Sequence, residues 1–289
     1  MDAVGRIEKA LSAALAIAET PGRPPRLAEA MTYAVFPRGA RVRPRLCLAV
    51  AMACGEDLPE LTDAAAAAIE LLHCASLVHD DLPCFDDATT RRGKPALHLA
   101  FGEPLAVLAG DALIVLAFQA LARAGAADPA RLVSLLGIVG DSVGMPFGIA
   151  AGQAWECEPR VDLGAYQRAK TGSLFAAACM AGAAAAGRPA GPWRALGEKL
   201  GEAYQVADDL RDAAADEEEA GKTTGRDAVL GRPSAALTLG IPAAVRHLED
   251  LVGEAAAAIP DCPGRESLET LILFEARRLV PKSLALTAA

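Results

Sequence analysis

The join between AAAAAIELLHCASLV (64–78) and DDLPCFDDATTRRGK (80–94) constrains this chain more than any other stretch. The upstream run has the composition of a packed helix, rich in Ala and Leu. Pro83 cannot extend that helix, because it has no N–H and its ring collides with the preceding turn. Asp80, Asp81, Asp86 and Asp87 are therefore delivered at the end of a buried helix, with Arg91, Arg92 and Lys94 close behind. Oxygen ligands at this density suit Mg²⁺, which keeps several waters and shares its other positions with substrate phosphates. The guanidinium fork of an arginine matches phosphate oxygens bidentately. Together they point to a site for a diphosphate, although an Asp/Arg-rich segment on its own also reads as a solvated loop.

The remainder reads as helix. Hydrophobic residues make up 53% of the chain and aromatics only 4%, with alanine heavily used. Helical spacing over the first 20 residues (Val4, Ile7, Leu11, Leu15) is broken at Pro21-Gly22. Further helices are expected over Arg26–Val35, Leu46–Cys54, Thr62 to the acidic cluster, Leu105–Ala122, Pro129–Val143, Phe147–Glu156 and Leu163–Ala186. Pro192–Ala213, Pro233–Leu239, Ala243–Ile259 and Ser267–Val280 complete the set. With no strand-period stretch and no repeat, the 289 residues predict an all-α, single-domain helical bundle (1–289).

Composition excludes several functions. A net charge of −9 and a pI near 5.1 argue against nucleic acid, which needs a basic face. Seven cysteines, an odd number without a CxxC pair, read as free thiols of a cytoplasmic protein. The N-terminus carries Asp2, Arg6, Glu8 and Lys9, unlike a signal peptide. The longest uncharged apolar-rich run, around Ser173–Gly187, falls short of the roughly 20 residues that span a bilayer. No membrane span is expected. Arg38, Arg41, Arg43 and Arg45 cluster at the mouth of a helix, where free N–H groups already suit an anion. A solvated turn is the plainer alternative, but the acidic motif downstream favours an anion site.

A second acidic cluster decides between these readings. Asp208, Asp209 and Asp212 lie in YQVADDLRD, and the i, i+4 spacing puts Asp208 and Asp212 on one helix face. Like charges one turn apart oppose the helix unless a cation neutralises them. Gln205 and Gly201 continue the same face, compatible with a polar cavity.

At this point the chain resembles the trans-isoprenyl diphosphate synthases (polyprenyl synthetases), whose two aspartate-rich motifs face each other across a cavity. DDLPCFDDATTRRGKP is similar to the first motif in its longer form and DDLRD to the second, with GDALIVLAF, GQAWECE and KTGSLFAAA in family order between them. The resemblance covers nearly the whole chain and is nearest to bacterial geranylgeranyl diphosphate synthases. It implies Mg²⁺, three ions with substrate bound, held by Asp80, Asp86, Asp208 and Asp212, with Asp81 and Asp209 completing the motifs. It implies that Arg91 holds the allylic diphosphate, and that Arg92, Arg43 and His73 hold isopentenyl diphosphate. Lys170, Thr171, Gln205 and Lys222 would line the ionising allylic group, and the assembly would be a homodimer. Three departures stand out: Ala40 replaces a diphosphate-binding lysine, Arg226 replaces a lysine after GKT, and Glu156 replaces an aspartate. Without that context His73 reads as a core residue, Thr171 as a cap, Gln205 as a network filler and Lys222 as a solvated lysine.

Product length follows from the helix. Residues four and five before Asp80, Ser76 and Ala75, lie about 6–7.5 Å up its axis. A bulky aromatic at this level marks the farnesyl-stopping members, so Ala75 predicts a geranylgeranyl product, unless Ile69, Leu72 or another helix forms the floor. Farnesyl synthesis and a non-catalytic subunit remain the alternatives. A terpene cyclase is disfavoured because DDLRD stands where an Asn/Ser/Glu motif belongs.

Overall fold

The computed structural model describes residues 2–36, 39–214 and 235–277. Its helices are α1 (Ala3–Ala16), α2 (Pro25–Val35), α3 (Val42–Ala53), α4 (Pro59–Asp80), α5 (Leu97–Phe101), α6 (Glu103–Ala124) and α7 (Pro129–Val143). There follow α8 (Ile149–Ala154), α9 (Leu163–Gln167), α10 (Ser173–Ala185), α11 (Arg194–Ala214), α12 (Ala235–Leu239), α13 (Ile241–Ala257) and α14 (Arg265–Arg277). The all-α expectation holds. Several helices begin earlier than the apolar spacing alone indicates. Pro59 and Pro104 each occupy the first turn, where a missing N–H costs nothing and the fixed φ favours the helix. In α3 the first turn likewise absorbs Pro44.

α4 is the spine of the bundle. It is buried along most of its length and packs against α6, α3, α10 and α1. Ala65, Ala66, Ala67 and Ala68 let those neighbours approach closely. A smaller apolar cluster joins α11 to α12 and α13 through Ala203, Val206, Ala207, Leu210, Leu248 and Leu251. Two helices, Pro59–Asp80 and Glu103–Ala127, are in fact long and apolar enough to cross a bilayer, because scattered charges that end an uncharged run do not end a helix. In α4, 78% of that stretch is buried inside the protein, as in a core helix.

Two local features depart from expectation. The polar loop after α4 contains a short hairpin, β1 (Thr90–Arg91) paired antiparallel with β2 (Lys94–Pro95). Arg92 and Gly93 both have positive φ (52° and 74°), as a two-residue hairpin turn requires. The helix expected over Leu163–Ala186 is interrupted by a π turn at Arg168–Gly172, between α9 and α10. Such turns occur often at functional sites.

Gly201 does not line a polar cavity. A Cβ there would sit 2.9 Å from the Cα of Gly172, so this glycine lets α11 press against the π turn. Gly201→Val will separate them, lowering stability by roughly 1–3 kcal/mol in urea unfolding, as overpacking does.

Candidate active site

Asp80, the last residue of α4, is 7% exposed. The chain folds back beneath it: Asp86 N–H donates to the Asp80 carbonyl (2.9 Å) and Ala88 N–H to that of Asp81 (3.2 Å). Asp86 is thereby returned to the same corner as Asp80. Burial raises the Asp80 pKa; the Lys170 charge and a Gln153 hydrogen bond oppose this, while Glu156 and Asp86 add to it. Gln153 Nε2 donates to Asp80 Oδ1 (3.0 Å) and to the Ser76 carbonyl (3.1 Å). Lys170 Nζ lies 3.5 Å from Asp80 Oδ1 and 2.6 Å from Glu156 Oε1, which also accepts from Tyr166 Oη at 2.6 Å. Asp81 faces the other way and is buried against Arg91, whose Nε is 3.0 Å from both carboxylate oxygens. Burial works against the Arg91 cation, but its hydrogen bonds to Asp81 and that carboxylate's charge outweigh it and leave its pKa raised.

The second aspartate pair divides in the same way. Thr171 Oγ1 donates to Gln205 Oε1 (3.0 Å), and Gln205 Nε2 to Asp209 Oδ1 (3.0 Å). Asp209 also accepts from Ala235 N–H (2.7 Å), tying α11 to the start of α12. Asp208 is the more exposed carboxylate, 3.8 Å from Arg211. The π turn therefore links the clusters, with Lys170 reaching Asp80 and Thr171 reaching the Gln205–Asp209 side. Lys222, Arg226, Arg38 and the Asp212 side chain lie outside the described residues.

Among the described residues no three His, Cys, Asp or Glu side chains are grouped to hold a metal unaided. The donors are instead the carboxylate oxygens of Asp80 and Asp86 at one corner, and that of Asp208, part-exposed on α11. This set fits a hard cation that keeps waters and takes further ligands from a phosphate.

A basic wall stands higher on α4. The Arg43 guanidinium lies over Phe175 and Tyr204, 4.6 and 5.7 Å from the ring centres, and 3.5 Å from His73 Nε2. Its buried Nε has no hydrogen-bond partner among the described residues, and burial depresses its pKa. Arg41 does not replace the lysine lost at Ala40. It turns inward to Glu70 (2.7 Å), Glu8 (3.0 Å) and the Val35 carbonyl (2.9 Å), with its side chain 1% exposed. Ala75 is buried in the core, and the Ser76 hydroxyl bonds back to the His73 carbonyl (2.8 Å).

Gln153, Tyr166, Glu8 and Glu70 were not selected from sequence. Glu70 had a legible signal, a lone acid in an apolar helix, which must be paired if buried. Gln153 had another, a polar residue three before Glu156 in a stretch expected to be helical; the structure ends α8 at Ala154 and carries Glu156 on the 3₁₀ turn Trp155–Cys157.

Burial, reinforced by Arg43, Arg92, Arg91 and Arg41, holds the His73 pKa well below 6.5. Between those values the unfolded chain binds the extra proton, so stability rises with pH and is lost as pH falls through about 6.5. Calorimetry between about pH 5 and 8 will show this decline in the wild type, and His73→Asn will flatten that part of it.

Comparison with known proteins accords with this geometry. The polyprenyl synthetase family model matches residues 24–262. The geranylgeranyl diphosphate synthase of Cereibacter sphaeroides is 54% identical over 280 residues, 97% of each chain. That of Rhodobacter capsulatus is 52% identical over 95% of each. Among solved structures, the geranyltransferase from Helicobacter pylori complexed with magnesium and isoprenyl diphosphate superposes with a TM-score of 0.80 at 29% identity, covering 96% of this chain and 98% of that one. By sequence and by fold, the chain belongs to the polyprenyl synthetase family.

Proposed function

We propose that the chain is a geranylgeranyl diphosphate synthase, condensing isopentenyl diphosphate with dimethylallyl, geranyl or farnesyl diphosphate. One arrangement carries the reading: a single π turn touches Asp80 through Lys170 and, through Thr171 and Gln205, the second aspartate motif at Asp209, with a basic wall two turns up α4. His73 precedes Asp80 by seven residues, about 10 Å along the axis, which separates two diphosphates while leaving their carbon chains adjacent. The Cereibacter and Rhodobacter relatives support the twenty-carbon product, and the Helicobacter complex supports magnesium.

In this reading Asp80, Asp86, Asp208 and Asp212 hold Mg²⁺, three ions with substrate bound. Magnesium supplies Lewis-acid withdrawal of charge from the leaving diphosphate oxygen. Arg91, set by Asp81, grips that diphosphate. Lys170 and Lys222 stabilise charge that grows as the carbon–oxygen bond breaks, so their contribution is largest at the transition state. Lys170 is held between Asp80 and Glu156 and is positioned to turn towards the incoming anion. Thr171 and Gln205 orient the same side. Arg43, Arg92 and neutral His73 hold isopentenyl diphosphate, whose double bond attacks the allylic cation. A new carbon–carbon bond forms, a proton leaves, and diphosphate, the departing base, accepts it. Ala75 and Ser76 present only small side chains to the growing hydrocarbon at the neighbouring level of α4, where an aromatic would block it.

A homodimer in the cytoplasm completes the proposal. α6 is more apolar than α4 yet less than half buried, and it exposes Val107, Leu108 and Val115. A second copy would cover that face, consistent with its size and character. All seven cysteines are unpaired, in keeping with a reducing compartment.

Chromatography of the prenyl product tests the reading. With Mg²⁺, isopentenyl diphosphate and an allylic starter, the chain alone will yield the twenty-carbon diphosphate, and chelation will abolish it. A farnesyl product or no product overturns it. Ala75→Tyr will shift the product to fifteen carbons; an unchanged product places the floor elsewhere. Val115→Glu will convert a dimer to a monomer in size-exclusion chromatography with light scattering; a wild-type monomer refutes the pairing.

A further inference from the structure

Glu70 is a carboxylate 2% exposed in the middle of the apolar stretch of α4. A buried charge persists only when paired. Its Oε1 accepts from Arg41 Nη1 at 2.7 Å and lies 3.5 Å from Arg92 Nη2. The same corner contains Cys74, whose Sγ is 3.9 Å from both Glu70 Oε1 and Arg92 Nη1.

The backbone supplies a second, independent observation. Only three non-glycine residues among the described ones have positive φ: Arg41 (51°), Asp87 (45°) and Arg92 (52°). Two of the three are the partners of Glu70. A left-handed arginine is strained and persists where its surroundings hold it, and such strain collects at functional sites. Each of these residues also sets the direction of a functional neighbour. Arg41 is the N-cap of α3 and precedes Arg43 by two residues, while Arg92 occupies the hairpin turn that follows Arg91.

The two turns also touch directly. A Cβ on Gly39 would lie 2.6 Å from Arg92 Nη2, so the guanidinium crosses bare backbone at that point. Arg41 is fixed from its far side by Glu8 and the Val35 carbonyl. Arg41 thus pairs with Glu8 and Glu70 and Arg92 with Glu70, while Arg43 reaches His73 and pairs with neither carboxylate, a positive excess that suits a diphosphate.

We propose that Glu70 is the positioning residue of the isopentenyl-diphosphate site, clamping the 39–43 turn and the 91–94 hairpin together so that Arg43 and Arg92 converge on one anion. The assignment rests on the functional reading above and specifies how one half of that site is held. Glu70 touches neither substrate; it acts through the two arginines. Arg91, although on the same hairpin, is anchored independently by Asp81, and Lys170 by Glu156, so loss of the clamp falls chiefly on the isopentenyl side.

Steady-state kinetics of Glu70→Gln, which keeps shape and removes charge, tests this. The KM for isopentenyl diphosphate will rise about tenfold or more, because small misplacements of binding groups are costly, while the KM for the allylic diphosphate stays within about twofold. Arg92→Lys will lose most of its own effect when combined with Glu70→Gln, since the residues act as a unit. Gly39→Ala, which pushes Arg92 Nη2 off Glu70 while leaving the buried Arg41–Glu70 pair in place, will give the same one-sided rise and decides the matter if Glu70→Gln does not fold. Equal rises in both KM values, or no change in either, overturn the assignment of Glu70 while leaving wild-type prenyl transfer intact. Absence of prenyl transfer by the wild type overturns the functional reading itself.

Discussion

Convergence of carboxylates at a buried helix end is the constraint around which the site is arranged. Asp80 sits out of water with Asp86 and Glu156 near enough to raise its pKa, which is unfavourable until cations come near. The chain recruits Lys170 from the π turn and a hydrogen bond from Gln153 on α8. The helices that carry these groups are therefore tied electrostatically to the end of α4 as well as packed against it. A magnesium-bound diphosphate would meet the same demand more fully, which is why such a corner suits a cation and its phosphate ligands.

Neighbouring charged residues divide the work. Asp80 faces the corner and Asp81 locks Arg91; Asp208 is part-exposed beside Arg211 and Asp209 ties α11 to α12. Arg43 stands on an aromatic pair beside His73, while Arg41 is sunk into Glu8 and Glu70. On a helix, successive side chains point about 100° apart, so one of two adjacent charges can meet a ligand while the other anchors the frame. Doubled charges in this sequence thus report both a site and its support.

Much was legible from residue types. Apolar spacing with Pro83, Pro129 and the glycine-containing breaks located nearly all the described helices, because amphipathic period and proline geometry act within a few residues. The aspartate motifs were legible for a similar reason: dense like charge next to a buried run demands a partner. Other features were hidden because they depend on contacts far apart in sequence. The π turn at Lys170–Thr171 follows from docking against α11 and α8. The hairpin around Arg92 needs a left-handed arginine that no propensity favours. Gly201, read as part of a polar face, is a contact point between backbones.

By itself the sequence determined the helical class, the two acidic clusters, the basic stretches and the small residue at the level of Ala75, since each is a property of side-chain chemistry and local periodicity. Only the tertiary structure decided which member of each charged pair faces the site, that Arg41 cannot stand in for the lysine missing at Ala40, and that Glu70 binds two distant turns. Those outcomes depend on distances between segments up to dozens of residues apart, and burial magnifies the energy of every such distance.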